Sequence, residues 1–410
     1  MDKKLVIIAG GTGFIGSHLN QALHNNGFKT KLISRYNNKG NVKNITWEEI
    51  KSGDLPKCHA IIGLQGQNIM DFTKRWSESF QNKLWESRVN TTRLLKNAIN
   101  KSKCTKLFVS SSALSFYPPH PSKIYDETFI PDIFDQNFKQ FPKGEEVLFL
   151  TKLCQEWERA AIDDPSQIKI PHNDLRTIII RTGLVLGKDG FMMKKMLPAF
   201  KFYLGNKAIG SGEQWMSWIH ISDIVGIMLK CVIDMHPDNN LNIIRKKSDT
   251  DLKVGYSSAS DAAFAKPSDS NSSEYILKSK PKNKSNLRST ELYEKNETST
   301  VNFEERKPNT HLDHATSNTI DTNLLIFNGT SPNPSKNRDF HATLANVLHK
   351  PLWFPPIPES ILSLMLGPVM AQLLTKGQKV IPRNTIDILK YQFKYPKLRQ
   401  AFEEMCHSEK

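Results

Sequence analysis

Lys4-Leu5-Val6-Ile7-Ile8-Ala9 runs straight into Gly10-Gly11-Thr12-Gly13-Phe14-Ile15-Gly16, and this junction decides the reading of the whole chain. The first six residues make an apolar run of strand length. From Phe14 onward, Phe14, Ile15, Leu19 and Leu23 recur as one face of a helix. The pattern is strand, glycine turn, helix. Gly10 permits a sharp turn, Gly13 lets backbone approach a pyrophosphate, and Gly16 lets the helix lie close to the strand. The helix N-terminus then faces the anion. A glycine triplet alone is a weak signal, but this one sits in the context that a dinucleotide site requires. The competing reading is an ordinary glycine-rich turn.

The end of the second strand bears on which dinucleotide. Lys29-Thr30-Lys31-Leu32-Ile33 closes on Ser34-Arg35, with no acid. An NAD site places Asp or Glu there to accept from the ribose 2′-hydroxyl. A hydroxyl beside a guanidinium fork suits a 2′-phosphate instead. NADP(H) is therefore the expected cofactor, with Arg35 otherwise a plain surface arginine.

A chain of 410 residues, 38% of them hydrophobic, can build a sizeable core and more than one domain. Its five cysteines (Cys58, Cys104, Cys154, Cys231, Cys406) are odd in number and scattered. They form no Cys-x-x-Cys or Cys/His ligand cluster, which argues for a reducing compartment and against structural zinc. A strand beginning near Lys4 is expected to leave no room for a cleaved leader, so a cytoplasmic setting is expected. Ser360 to Leu374 is the most apolar late stretch, and it is too short to span a bilayer. The net charge of +15 is spread over dispersed lysines without a nucleic-acid-binding motif. Solubility and attraction for anionic ligands account for it.

Strand and helix patterns alternate up to about residue 244, as in a parallel sheet. His59 to Leu64, Lys106 to Ser112 and Thr177 to Leu184 read as strands. Gln81 to Ala98 and Glu145 to Ile162 read as helices. From about Arg245 to Asp321 the composition turns to Ser, Asn, Lys, Thr, Asp and Glu, with few large apolar residues. Such a segment cannot offset its ordering entropy and is expected to be disordered. Leu324-Leu325-Ile326-Phe327-Asn328-Gly329 then reads as a strand ending in a turn. A helix near Phe340 to Leu348 follows, then a Pro-rich turn and a further helix from Ser360 to Leu374.

Several blocks together resemble the short-chain dehydrogenase/reductase superfamily, in its extended branch, and within it the atypical nucleoside-diphosphate-sugar-epimerase-like family. They are the glycine turn with Ser34-Arg35, Leu64-Gln65-Gly66-Gln67-Asn68-Ile69, Arg75-Trp76, and Ser87-Arg88-Val89-Asn90-Thr91-Thr92. Arg181-Thr182-Gly183-Leu184-Val185-Leu186-Gly187 and Gly210-Ser211-Gly212-Glu213-Gln214, continuing through Trp218-Ile219-His220-Ile221-Ser222-Asp223, are more diagnostic. Gly377-Gln378-Lys379-Val380-Ile381-Pro382 and Phe393-Lys394-Tyr395-Pro396 resemble that family's C-terminal module. The implied fold is α/β, a Rossmann doubly wound parallel sheet with a small C-terminal substrate-side α/β module and a long disordered insert. The implied division is an NADP-binding domain over 1–186, continued by 218–244, with a substrate-side segment at 187–217. The insert covers 245–322 and the C-terminal module 323–410.

The resemblance adds Leu64, Gln65, Arg88 and Val185 to the cofactor contacts of Gly10, Gly11, Thr12, Gly13, Phe14, Ile15, Gly16, Ser34 and Arg35. It implies an NADP(H)-dependent oxidoreductase or epimerase-like activity on an unidentified small molecule. Active relatives use a Ser or Thr after a strand and then Tyr-x-x-x-Lys, the lysine lowering the tyrosine pKa. Ser112 matches the hydroxyl, but Leu150 and Cys154 fall at the Tyr and Lys positions, and neither can do that chemistry. Tyr117 and His220 are the candidate substitutes. The alternative is a catalytically weak or inactive NADP(H)-binding sensor. No metal site is expected. Expected partners are the small-molecule substrate, a second copy of the chain and an unidentified protein at the insert, with neither nucleic acid nor membrane. If Ser34-Arg35 reads the 2′-phosphate, Arg35→Asp will weaken NADPH about tenfold to a hundredfold, the 1.5–3 kcal/mol of a hydrogen bond to a charged group. NADH affinity will change little, and parallel fluorescence titrations of both nucleotides measure the difference.

Overall fold

The computed structural model describes residues 4–34, 44–69, 76–129, 146–162, 174–202, 205, 207–239 and 323–407. Arg35 and the 245–322 insert lie outside these residues. Strand β1 (Leu5–Ala9) enters the glycine turn and helix α1 (Phe14–Asn25) leaves it. Next come β2 (Lys29–Ser34), β3 (Ile45–Thr46), α2 (Trp47–Ser52) and β4 (Ala60–Gly63). Helix α3 (Glu78–Trp85) continues through a π-helical turn at Glu86–Asn90 into α4 (Thr91–Ser102). Strands β5 (Leu107–Ala113) and β6 (Ile124–Tyr125) precede α5 (Glu146–Ala161). They are followed by β7 (Arg176–Thr182), β8 (Leu184–Leu186), α6 (Phe191–Lys201), β9 (Trp215–Met216), β10 (Trp218–His220) and α7 (Ile221–Asp234). Past residue 322 come β11 (Leu324–Gly329), β12 (Ser335–Lys336), α8 (Asn337–Val347), α9 (Glu359–Leu366) and α10 (Pro368–Thr375). The described chain closes with β13 (Lys379–Val380), α11 (Arg383–Asp387) and α12 (Leu398–His407).

Seven strands form one parallel sheet in the order β11-β7-β5-β4-β1-β2-β3. Because side chains alternate along a strand, β1 feeds two cores. Val6 and Ile8 pack with Leu19 and Leu23 of α1 and with Ile224 and Met228 of α7. Ile7 and Ala9 pack on the other face with Leu95, Ala98 and Ile99 of α4. Burial on both faces is why the strands are continuous apolar runs rather than alternating ones. Each fully buried Ile contributes roughly 1.5–3 kcal/mol, so the central strands need no polar help. The glycine turn sits at the carboxyl edge of this sheet, where open α/β sheets bind ligands.

Three details depart from the sequence reading. The helix expected over Gln81 to Ala98 is two helices joined by the π-helical turn, since one extra residue in a turn leaves apolar periodicity almost unchanged. The helix expected over Ser360 to Leu374 breaks at Gly367, whose φ of 85° starts a new helix at Pro368. Strand β11 pairs with β7 along its full length, so a boundary at 323 would cut through the main sheet. The segment expected at 187–217 contains α6, whose Met193, Leu197 and Phe200 pack with α8 and α12 in a core of their own.

One buried carboxylate is a principal fastening of the C-terminal segment to the main body. Asp223, fully buried in the first turn of α7, accepts from the Tyr391 hydroxyl at 3.1 Å and from the backbone N–H of Lys394 and Tyr395 at 2.7 and 3.0 Å. Burial and that carboxylate together push the Tyr391 phenol well above its ordinary pKa. Asp223→Ala strands those two N–H groups, at about 1–3 kcal/mol each. A lower denaturant midpoint, with faster hydrogen exchange at Lys394 and Tyr395, is the expected result.

Candidate functional site

The glycine turn is shaped for close approach. Gly10 has φ of 78°, and a Cβ there would lie 2.6 Å from the Leu64 carbonyl oxygen. A Cβ on Gly16 would collide with the Gly10 carbonyl, so α1 can meet the turn only without one. Gly13 is the N-cap of α1 and offers no side chain to its first N–H groups, and the first turn carries no acid. Those donors stay available to an anion. Gly11 is buried over Leu32, Thr12 is exposed at the tip, and Phe14 and Ile15 are half-buried against the core. Ser34 stands at the end of β2. Val185 sits at the centre of β8, paired with Ile219 of β10 and packed on the core.

Beside the turn lies a cluster of buried polar atoms with unused hydrogen-bonding capacity. Leu64 follows β4 and donates its N–H to Ala9 at 2.8 Å. Gln65 Nε2 donates to Thr92 Oγ1 at 2.8 Å, but its buried Oε1 has no partner. Arg88, in the π-helical turn, donates from Nη2 to the Gln67 carbonyl at 2.9 Å. Its buried Nε and Nη1 have no partner, and its guanidinium lies 5.3 Å from the Trp157 ring centre. Burial holds its pKa down to about 10. Among the described residues no carboxylate pairs with it. A buried cation with two unused donors is costly unless an anion or ligand oxygen completes it. π-Helical turns, which set a side chain out of regular helical phase, recur at functional sites.

Ser112 and Tyr117 do come together, inside a closed network. Ser112 of β5, Arg181 of β7 and Asn328 of β11 are direct neighbours across the sheet. Arg181 donates from Nε and Nη2 to the two oxygens of Glu158 on α5, both at 2.9 Å. Ser112 Oγ donates to Glu158 Oε1 at 2.6 Å. Arg181 Nη1 donates to the Tyr117 hydroxyl at 2.9 Å, and that hydroxyl donates to Asn328 Oδ1 at 2.8 Å. Burial pushes the Tyr117 phenol above its ordinary pKa, outweighing the pull of Arg181. Both hydroxyl protons are committed within the protein, so neither residue stands in this structure as a free acid or base.

His220 lies elsewhere. Its Nδ1 accepts the Ser222 N–H at 3.2 Å and so caps α7, while Nε2 lies 3.0 Å from Glu404 Oε2. Those partners assign the proton to Nε2. The ring is buried 4.2 Å from that of Tyr395, and burial lowers its pKa despite Glu404. This is the geometry of a helix cap, joined to neither the glycine turn nor the Tyr117 network.

A cleft of about 70 Å³ opens beside Tyr117, walled by Ser115, Leu150, Thr151, Lys376 and Gln378 among others. Lys376 is the one charged side chain on its wall. The Thr151 hydroxyl is buried there without a hydrogen-bond partner.

Residues 6–243 match the model of the NAD dependent epimerase/dehydratase family, and residues 357–405 match a domain of unknown function, DUF1731. The chain belongs to the NAD dependent epimerase/dehydratase family. The mouse epimerase family protein SDR39U1 is 34% identical over 263 residues, covering 64% of this chain and 81% of that one. Its human counterpart is 28% identical across 98% of this chain and 99% of its own. A crystal structure of human SDR39U1 (isoform 2) with NADPH superposes with a TM-score of 0.67, at 27% identity over 98% of this chain and 99% of that chain.

In this epimerase-family chain, Leu150 and Cys154 are the residues that the sequence reading expected at the tyrosine and lysine positions. Both are buried, and burial pushes the Cys154 thiol up to about 12. Glu158, Arg181, Asn328 and Thr151 escaped the sequence reading as functional residues. The available signal was Arg181 itself, a charge at the end of the apolar run Ile178-Ile179-Ile180. It demands a buried partner that the sequence does not point to. Arg181→Met leaves the Glu158 carboxylate buried and unpaired and should cost about 3–5 kcal/mol in urea unfolding. Pairing it with Glu158→Met should recover most of that loss.

Proposed function

We propose that this chain binds NADP(H) at the carboxyl edge of the sheet and acts as an oxidoreductase or epimerase-like enzyme on a small oxygenated compound in the cleft beside Leu150. The observation that carries the cofactor is Arg88, a buried cation with two unused N–H donors next to the glycine turn. Phosphate or ribose oxygens would satisfy both, and the unused Gln65 Oε1 would accept from a ribose hydroxyl. Ser34-Arg35, without an acid, favours the phosphorylated nucleotide, in line with the NADPH-bound human relative. When bound, the nicotinamide supplies a hydride donor or acceptor. The chain's part is then to bind and orient: the glycine turn and Arg88 hold phosphate and ribose, Thr151 offers a hydroxyl to a substrate oxygen, and Lys376 favours a substrate bearing negative charge. Thr151 can hydrogen-bond but is no proton source at neutral pH. Without the tyrosine–lysine relay, turnover is expected to be about a hundredfold to ten-thousandfold slower than in relatives that keep it. The unpaired cysteines of the described structure favour a reducing, cytoplasmic setting.

A second reading has its own support. The Ser112 and Tyr117 protons are held within the Glu158–Arg181–Asn328 network, which favours a protein that holds NADP(H) as a sensor or platform without turnover. NADPH titration and NADPH oxidation with aldehydes, ketones and quinones separate the two. Arg88→Met should weaken NADPH about tenfold to a hundredfold; unchanged affinity would remove Arg88 from the site. Thr151→Val should lower kcat/KM while leaving NADPH affinity intact. Tight NADPH binding with no turnover of any substrate would decide for the sensor.

A further inference from the structure

At the amino-terminal end of the sheet, far along β1 from the glycine turn, two cysteines meet. Cys58 stands just before β4 and Cys104 just before β5, which are parallel neighbours. The Cys58 N–H donates to the Cys104 carbonyl at 2.9 Å, and the Thr105 hydroxyl donates to the His59 carbonyl at 3.0 Å. These two bonds hold the segments at strand spacing, about 4.8 Å. That separation falls within the range of about 4.4–6.8 Å between Cα atoms that a disulfide spans. Cys104 is buried and Cys58 half-buried.

We infer that Cys58 and Cys104 form a dithiol site that a peroxide converts to an intramolecular disulfide. Both side chains face the same core, Cys104 buried in it and Cys58 packed against it, and the neighbouring Cys58 S–H is the main influence holding Cys104 down to about 7, against its burial. The same contact and burial push Cys58 up, which makes Cys104 the attacking sulfur and Cys58 the resolving one. The Ser102 hydroxyl adds little to this polarisation, because its proton is directed to the Ala98 carbonyl at 2.7 Å. Cys154 and Cys231 are buried, and burial pushes both thiols up, to about 12 for Cys154, so they are poor nucleophiles by comparison.

The chemistry balances. The Cys104 thiolate attacks one peroxide oxygen, the O–O bond breaks, and the departing hydroxide leaves as water after taking a proton, giving a sulfenic acid. The Cys58 sulfur then attacks the Cys104 sulfur, the S–O bond breaks, and a second water leaves with the Cys58 proton. Two thiols lose two electrons and two protons to one hydrogen peroxide, yielding one disulfide and two waters.

The test uses the full chain, reduced and then exposed to stoichiometric hydrogen peroxide, with peptide mapping under non-reducing conditions. A 58–104 cross-linked peptide, reversed by dithiothreitol, is the expected product. In Cys58→Ser, dimedone should trap a sulfenic acid on Cys104, while in Cys104→Ser labelling at Cys58, whose burial alone still favours the thiol, should be slower. Far-UV circular dichroism of both variants separates loss of fold from loss of chemistry, and the wild-type map stands without either variant. Intact thiols at both positions in the oxidised wild type, or cross-links that preferentially involve Cys154, Cys231 or Cys406, would overturn the assignment.

Discussion

The ion pair between Glu158 and Arg181 is the constraint around which the carboxyl half of the sheet is arranged. Their side chains are 0% and 2% exposed, so neither charge has access to water. A pair so placed is tolerated only when every remaining donor and acceptor is also satisfied. That requirement recruits Ser112 from β5, Tyr117 from the following turn and Asn328 from β11. Asn328 extends it further: its N–H donates to Glu127 at 2.8 Å and its side-chain amide to the Ile381 carbonyl at 3.0 Å. One buried pair thereby ties a helix, three neighbouring strands and the C-terminal segment together.

The same constraint reshapes the catalytic question. Ser112, expected as a substrate-polarising hydroxyl, and Tyr117, expected as a substitute acid or base, are employed here in holding an arginine. Leu150 and Cys154, expected at the positions of the usual proton relay, are both buried, one apolar and one protonated at neutral pH. Unused polar capacity includes that of Arg88 and Gln65 beside the glycine turn and of Thr151 in the cleft.

What the sequence disclosed follows from the reach of its signals. The β1–turn–α1 unit, the alternation of strands and helices, and the closing strand at Leu324 to Gly329 are local patterns, and each stands within a few residues of where it was read. Arg88 was marked by a motif, and the structure gives it a buried place with unused donors. The π-helical turn and the break at Gly367 escaped because neither disturbs apolar periodicity over a turn or two. The Glu158–Arg181 network was hidden for another reason. Its members lie at 112, 117, 158, 181 and 328; the register of three strands brings 112, 181 and 328 to one rung, and α5 and the turn after β5 add 158 and 117. His220 was a candidate because its segment resembles one that borders a substrate pocket, yet its neighbours Ser222 and Glu404 make it a cap.

The place of β11 has a consequence for how the molecule is made. Synthesis delivers β7 long before β11, because the chain first passes through α7 and the whole of residues 245–322. At about 5–20 residues per second that interval is on the order of ten seconds. Throughout it β7 is the outermost strand, with the row of backbone groups that will face Leu324–Gly329 still unpaired. Tyr117 likewise waits for Asn328. A sheet formed before Leu324 is made would expose a parallel edge at β7, where edge-to-edge association competes with completion of the sheet.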